Sequence, residues 1–142
     1  MQISKILGKY QLVGLVFGQD AVAASQTDVQ LYVMQAGGPV ELAVTGYTMP
    51  FAGEIVAISY DLSAAATAGT LTIGPTVGGT EETDPTLSIT TGVTGSDSCN
   101  RGAATFAKNA IIGAEITSSA GWDGTSADLL VVVWVILAIS GI

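Results

Sequence analysis

The chain has 142 residues, with 12 acidic side chains against 4 basic ones and a formal net charge of −8. So few cations cannot neutralise a nucleic-acid backbone or hold an anionic membrane surface, so neither is expected as a partner. With no histidine and a single cysteine, Cys99, the composition excludes a Cys/His zinc site, a serine triad and an intrachain disulfide.

Charged residues make up 11% of the chain and apolar ones 49%. An ordinary globular protein carries about 25% charge. The length supports one domain. A surface this poor in charge points to contacts with other chains, and hence to a homo-oligomer.

Residues 1–24 differ from the remainder. Ile3, Ile6, Leu7 and Tyr10 have helical spacing, but Gly8 and Gly14 weaken a helix, and an extended segment fits equally well. We read 1–24 as an N-terminal arm or docking segment, with those four apolar side chains as its contacts. The plainer alternative is a first strand of the domain. Lys5 and Lys9, an apolar run and Ala21-Val-Ala-Ala24 imitate a signal peptide. Gln11, Gly14, Gln19 and Asp20 interrupt the imitation, so no signal peptide is expected.

From Asp28 the period changes to two, opening the domain read as 25–142. Val29, Leu31 and Val33 alternate with Gln30, Tyr32 and Met34. After a turn at 35–39, Val40, Leu42 and Val44 alternate with Glu41, Ala43 and Thr45. Residues 54–62 put Val56, Ile58, Tyr60 and Leu62 on one face. Residues 70–77 follow, with Pro75 implying an edge or a bulge. Residues 78–85 read as an acidic hairpin loop and 86–90 as the returning strand. Residues 91–102 read as a loop and 103–107 as a short strand. In the next strand, Ile112, Ala114 and Ile116 alternate with Gly113, Glu115 and Thr117.

Residues 129–139, Leu129-Leu-Val-Val-Val-Trp-Val-Ile-Leu-Ala-Ile139, are apolar without interruption. As a helix the stretch would span roughly 17 Å. That is well short of the ~30 Å hydrocarbon core of a bilayer, and its β-branched residues favour a strand. Both faces of such a strand are apolar. Leu130, Val132, Trp134 and Ile136 are assigned to the domain's own core. Leu129, Val131, Val133, Val135 and Leu137 are then left for a partner, so Val131, Val133, Val135 and Leu137 are the expected subunit-interface residues. About eight strands with polar, Gly-rich turns predict an all-β, eight-stranded antiparallel jelly-roll-like β-sandwich with an N-terminal arm.

The same pass finds no catalytic constellation. No enzyme activity, cofactor or metal is expected. Glu81, Glu82 and Asp84 read as a solvated hairpin tip; weak calcium binding is the alternative, without the regular ligand spacing of a calcium loop. Cys99 has no base to activate it and reads as a free thiol. Trp122 and Asp123, in Gly121-Trp-Asp-Gly124, are the candidate ligand loop, because an aromatic beside a carboxylate can stack on a sugar and bind its hydroxyls. The blander reading has Trp122 folded back over one end of the sandwich.

Tyr47-Thr-Met-Pro50, followed by Ala52-Gly-Glu-Ile-Val-Ala-Ile-Ser-Tyr-Asp-Leu62 and Thr67-Ala-Gly-Thr-Leu-Thr-Ile73, resembles a pattern of jelly-roll virion proteins of tailed bacteriophages. Ala103-Ala-Thr-Phe-Ala107, Ala120-Gly-Trp122 and Thr125-Ser-Ala-Asp128 before the final strand fit the same likeness, which covers roughly residues 45–139. The resemblance implies a capsid decoration (cement) protein on the outer capsid surface of the virion. Such a protein is expected to form a homotrimer and to clamp neighbouring subunits of the major capsid protein. The alternative is a head or tail fibre module that recognises host-surface glycans through Trp122, Asp123 and Tyr47. A cellular surface-layer or pilus-like subunit is the third reading, and the absence of a signal peptide speaks against it.

Overall fold

The computed structural model describes residues 10–35, 38–40 and 46–139. Among them are thirteen strands and no helix. They are β1 (Tyr10–Gln19), β2 (Val29–Gln30), β3 (Tyr32–Gln35), β4 (Gly38–Val40), β5 (Tyr47–Thr48), β6 (Gly53–Leu62) and β7 (Leu71–Val77). The remaining six are β8 (Thr80–Glu81), β9 (Leu87–Ile89), β10 (Thr94–Ser98), β11 (Ala104–Phe106), β12 (Ile111–Ser118) and β13 (Leu129–Ala138).

The strands make two antiparallel sheets. The seven-stranded sheet runs β10-β6-β13-β1-β3-β4, with β11 also on β6. The six-stranded sheet runs β2-β12-β7-β8, with β5 also on β12 and β9 on β7. Leu31, between β2 and β3, is where the chain passes from one sheet to the other; its N–H donates to the Ala114 carbonyl at 2.8 Å.

Period-two alternation sends one side of each sheet inward. Phe17, Ile55, Ile58, Val131, Val133 and Val135 from the seven-stranded sheet meet Leu71, Ile73, Ile112 and Ile116 from the other in one buried cluster. Each fully buried side chain of this kind contributes roughly 1.5–3 kcal/mol. The arrangement is all-β and sandwich-like.

Four expectations change. First, the fold has no separate arm reaching to residue 24. β1 lies between β13 and β3 and pairs with β13 along its whole length, from Tyr10↔Ala138 to Gln19↔Leu129. The connection after it is tied down too: the Val22 N–H donates to the Ala127 carbonyl at 3.0 Å, and the Asp128 Oδ1 accepts from the Ala21 N–H at 3.0 Å. Second, the faces of the closing strand are exchanged. Val131, Val133 and Val135 are fully buried and Leu137 nearly so, packed in the protein's own core instead of facing a partner. Register decides this: Val131 lies opposite Tyr60 and Val133 opposite Ile58, whereas Val132 and Leu130 lie opposite Ser59 and Asp61. Third, the expected loop at 91–102 contains β10, a polar edge strand paired with β6. Fourth, part of the expected turn at 35–39 is strand, with Met34↔Pro39 and Gln35↔Gly38 in register. Ile3, Ile6 and Leu7 lie outside the described residues, as does most of the strand expected at 40–45.

Candidate functional site

Among the described residues, the outer face of the seven-stranded sheet is an apolar surface left partly open. Along β1 it carries Tyr10, Leu12, Gly14, Val16 and Gly18. Beside them in register on β13 stand Ala138, Ile136, Trp134, Val132 and Leu130. Tyr10 is 57% exposed, Leu12 59% and Leu130 37%, while Val132, Trp134 and Ile136 are half-buried by one another. Contiguous exposed apolar side chains of this sort mark interaction surfaces far more often than isolated ones do.

Two glycines keep this face low. A Cβ on Gly14 would sit 3.0 Å from the Trp134 ring, and one on Gly18 would sit 2.9 Å from the Met34 sulfur. The Trp134 ring therefore lies across β1 at Gly14, and its Nε1–H donates to the Ser59 Oγ at 3.3 Å on the other side. Met34 covers Gly18 in the same way. Tyr47 supports the strand from beneath: its hydroxyl donates to the Val16 carbonyl at 3.2 Å, and its ring meets Phe17 edge-on at 5.4 Å. Burial pushes the Tyr47 hydroxyl's pKa up, partly offset by that bond to Val16. Tyr47 is thus a packing residue and is not presented on a ligand loop.

The two ends of the face are polar. At the Tyr10 end, Glu54 is 9% exposed and pairs with Arg101, and its second oxygen accepts from the Gly102 N–H at 2.5 Å. Burial alone would raise the Glu54 pKa, but the bonds from Gly102 and Arg101 outweigh it and hold the carboxyl below its usual value. The Arg101 guanidinium lies 5.0 Å from the centre of the Tyr10 ring. At the other end is a cleft of about 400 Å³, with Met34, Leu129 and Leu130 as its apolar wall and Asp20, Asp61 and Asp128 around it.

The outer face of the six-stranded sheet has the opposite character. The Gly78-Gly79 turn, with φ of 60° and 83°, closes a two-residue hairpin that brings Glu81 opposite Thr76. Glu81 crosses Gly74 and reaches Glu115, and Asp28 comes from the connection before β2. Ligand oxygens of these three carboxylates lie within 4.8 Å of one another. Glu115 is 7% exposed and accepts from the Gln30 Nε2 at 2.6 Å. Burial, then the Glu81 and Asp28 charges, push its carboxyl pKa up, and Gln30 only partly offsets this. A divalent cation would find hard oxygen donors here. The raised pKa of Glu115 favours its protonated form in the same geometry. Glu81 stays exposed, as the hairpin reading expects, and so does Asp28, but Glu81 turns toward the buried Glu115, and an acid within the apolar run Ile112-Gly-Ala-Glu-Ile116 was the available sequence signal.

The structure turns Trp122 inward and engages Asp123 in the fold's own hydrogen bonds. Trp122 is 2% exposed, and its Nε1–H donates to the Val22 carbonyl at 3.2 Å. It closes one end of the sandwich, which is the blander of the two sequence readings. The Asp123 carboxylate accepts from the Thr67 hydroxyl and from the Thr67 and Ala68 N–H groups, at 2.8 and 3.1 Å for the latter two. These bonds, the Thr67 hydroxyl first, lower its pKa and leave it little capacity for a sugar. The Cys99 Sγ–H donates to the Ile55 carbonyl at 3.2 Å, and burial raises the thiol's pKa, the reverse of an activated nucleophile.

Comparison with protein-family models gave no match, and comparison with curated protein sequences gave none either.

Proposed function

We propose that this chain is a structural virion protein of a tailed phage: a capsid decoration protein that assembles as a trimer and bridges neighbouring capsid subunits. The observation that carries the proposal is the apolar outer face of Leu12, Leu130, Val132, Trp134 and Ile136, which the described residues leave partly open. An accessory shell protein needs a rigid framework and apolar contact surfaces, and needs no catalytic groups.

The topology supports a jelly roll as the framework. Take the eight strands β1, β2, β6, β7, β9, β10, β12 and β13 in chain order. In one sheet the first lies beside the eighth, then the third, then the sixth; in the other, the second lies beside the seventh, then the fourth, then the fifth. That order is the one expected of two interleaved Greek keys in a double-sheet roll, which supports the reading. The strands β3, β4, β5, β8 and β11 are then extensions of that frame.

The test is cryo-electron microscopy of phage particles containing the chain. The expected result is density on the outer shell, with local three-fold contacts made through the β1–β13 face. Density confined to the tail tip, or protein that never joins a particle, overturns the reading.

A further inference from the structure

The Asp20–Asp61–Asp128 cleft is unusual in its surroundings. It combines three exposed carboxylates with an apolar wall of Met34, Leu129 and Leu130, and among the described residues no cation lines it. Among the described residues, Arg101 is committed to Glu54 at the far end of the sheet, and Lys108 stands in the turn before β12. The other two lysines, Lys5 and Lys9, lie in residues 1–9 among Ile3, Ile6 and Leu7. A segment of alternating apolar and cationic side chains matches a cleft of apolar wall and acidic rim. Lys108 has only Ala107 and Asn109 beside it and offers no apolar match.

Lys9 cannot reach its own chain's cleft, and Lys5 falls short of Asp20 even at full extension. Tyr10, where residues 1–9 join the sheet, lies at the opposite end of β1 from Asp20. Ten residues of strand separate the two by about 33 Å. Lys5, five residues before Tyr10, reaches at most about 18 Å from it even when fully extended, and Lys9 far less. Adding the length of a lysine side chain still falls short. A second copy has no such restriction.

We propose, building on the assembly reading above, that residues 1–9 of one copy dock on the outer sheet face of the next copy. The Lys5 and Lys9 ammonium groups meet Asp20, Asp61 and Asp128, and Ile6 and Leu7 cover Leu130 and Met34. The contact is head-to-tail, and a head-to-tail contact closes into a ring when the rotation allows, three copies included. Joining an acidic cleft to the basic segment also removes the main electrostatic obstacle to packing chains that each carry a net charge of −8.

The test is sedimentation of the full chain over a salt series, with thermal melts to confirm folding. Wild type is expected to associate, and to do so more weakly as salt rises. Asp61→Lys, and separately the double variant Lys5→Asp/Lys9→Asp, are each expected to weaken association at least about tenfold by juxtaposing like charges. Combining all three substitutions is expected to restore association to near the wild-type level. The proposal is overturned if the combined variant does no better than its parents, if deleting residues 1–9 leaves association unchanged, or if Lys108→Glu is the change that abolishes it. Those results leave the assembly reading standing. A wild-type chain that is monomeric at every concentration removes both.

Discussion

On the outer side of the seven-stranded sheet, Leu12, Leu130, Val132, Trp134 and Ile136 stand next to one another. On the outer side of the six-stranded sheet, the corresponding positions hold Gln30, Thr72, Thr76, Glu115 and Thr117. Both sheets obey the same alternation and bury the same kind of side chain inward. Only what they turn outward differs. An antiparallel sheet tolerates water on one face when that face is polar, as the six-stranded sheet's is. The seven-stranded sheet instead turns an apolar surface outward, with Trp134 lying over Gly14 and Met34 over Gly18. Such a surface gains free energy only when something covers it. On the assembly proposal, the apolar side is the contact surface, while the other side is polar and holds Thr76 and Glu115 covered by their neighbours.

The sharpest way to break that contrast lies within β13, at two adjacent valines. Val133 is fully buried between Leu15 and Ile58, so Val133→Asp leaves an unpaired charge in the core. This costs several kcal/mol and is expected to prevent folding, seen as loss of a cooperative melt. Val132→Asp, one residue earlier on the opposite face, is expected to leave the melt nearly intact and to abolish association in sedimentation. If both variants unfold alike, the outer face is a structural surface and the assembly reading falls.

The two tryptophans give a smaller version of the same comparison. Trp122 closes one end of the core, and Trp122→Ala is expected to cost about 3–5 kcal/mol of stability. Trp134 lies across the outer face, held by one hydrogen bond to Ser59. Trp134→Ala is expected to change stability much less and to weaken association by about 2 kcal/mol or more, as truncating a central aromatic anchor does. Denaturant titration and sedimentation equilibrium separate the two effects. Equal losses of stability would mean that Trp134 serves the fold alone.

The sequence made some of this readable and hid the rest for identifiable reasons. Strands with one polar face, such as β6 and β12, announced most of their inward sides: Ile58, Tyr60 and Leu62, and Ile112, Ala114 and Ile116, are buried, but at Val56 the register shifts and Ile55 is the inward residue instead. β13 is apolar on both faces, so alternation could not say which face was inward. The larger Trp134 and Ile136 drew the assignment the wrong way, and only the register against Ser59 and Asp61 on β6 resolves it. β1 was obscured because its start carries helical spacing and Gly14 reads only as a weak point in a helix, when in the sheet Gly14 and Gly18 are seats for side chains from β13 and β3. β10, Thr94-Gly-Ser-Asp-Ser98, has almost no apolar content and is a strand only because β6 offers it a ladder. The carboxylate cluster joins Asp28, Glu81 and Glu115 from three separate elements, a proximity no local pattern encodes.

That cluster supports the finest test, because the two faces respond to pH in opposite senses. Glu54, beside the apolar face, holds its proton less tightly when folded than when unfolded. Its contribution to stability is present above the usual glutamate pKa of about 4.3 and is lost as pH falls through the lowered folded value. Glu115 holds its proton more tightly when folded, because it is buried and faces Glu81 and Asp28. Its contribution is complete below about pH 4.3 and is lost as pH rises through the raised folded value. Glu115→Gln keeps an acceptor for Gln30 and removes the charge. The variant is therefore expected to lose that decline and to melt at a higher temperature than wild type at pH 7, with the gap narrowing as the pH is lowered toward 4. The wild-type-minus-variant difference cancels Glu54 and every other carboxylate whose pairing is unchanged. A gap that stays constant across this range would show that Glu115 is held as a settled anion. Association should be the same for the variant and wild type throughout, since Glu115 lies on the sheet that faces away from the apolar surface.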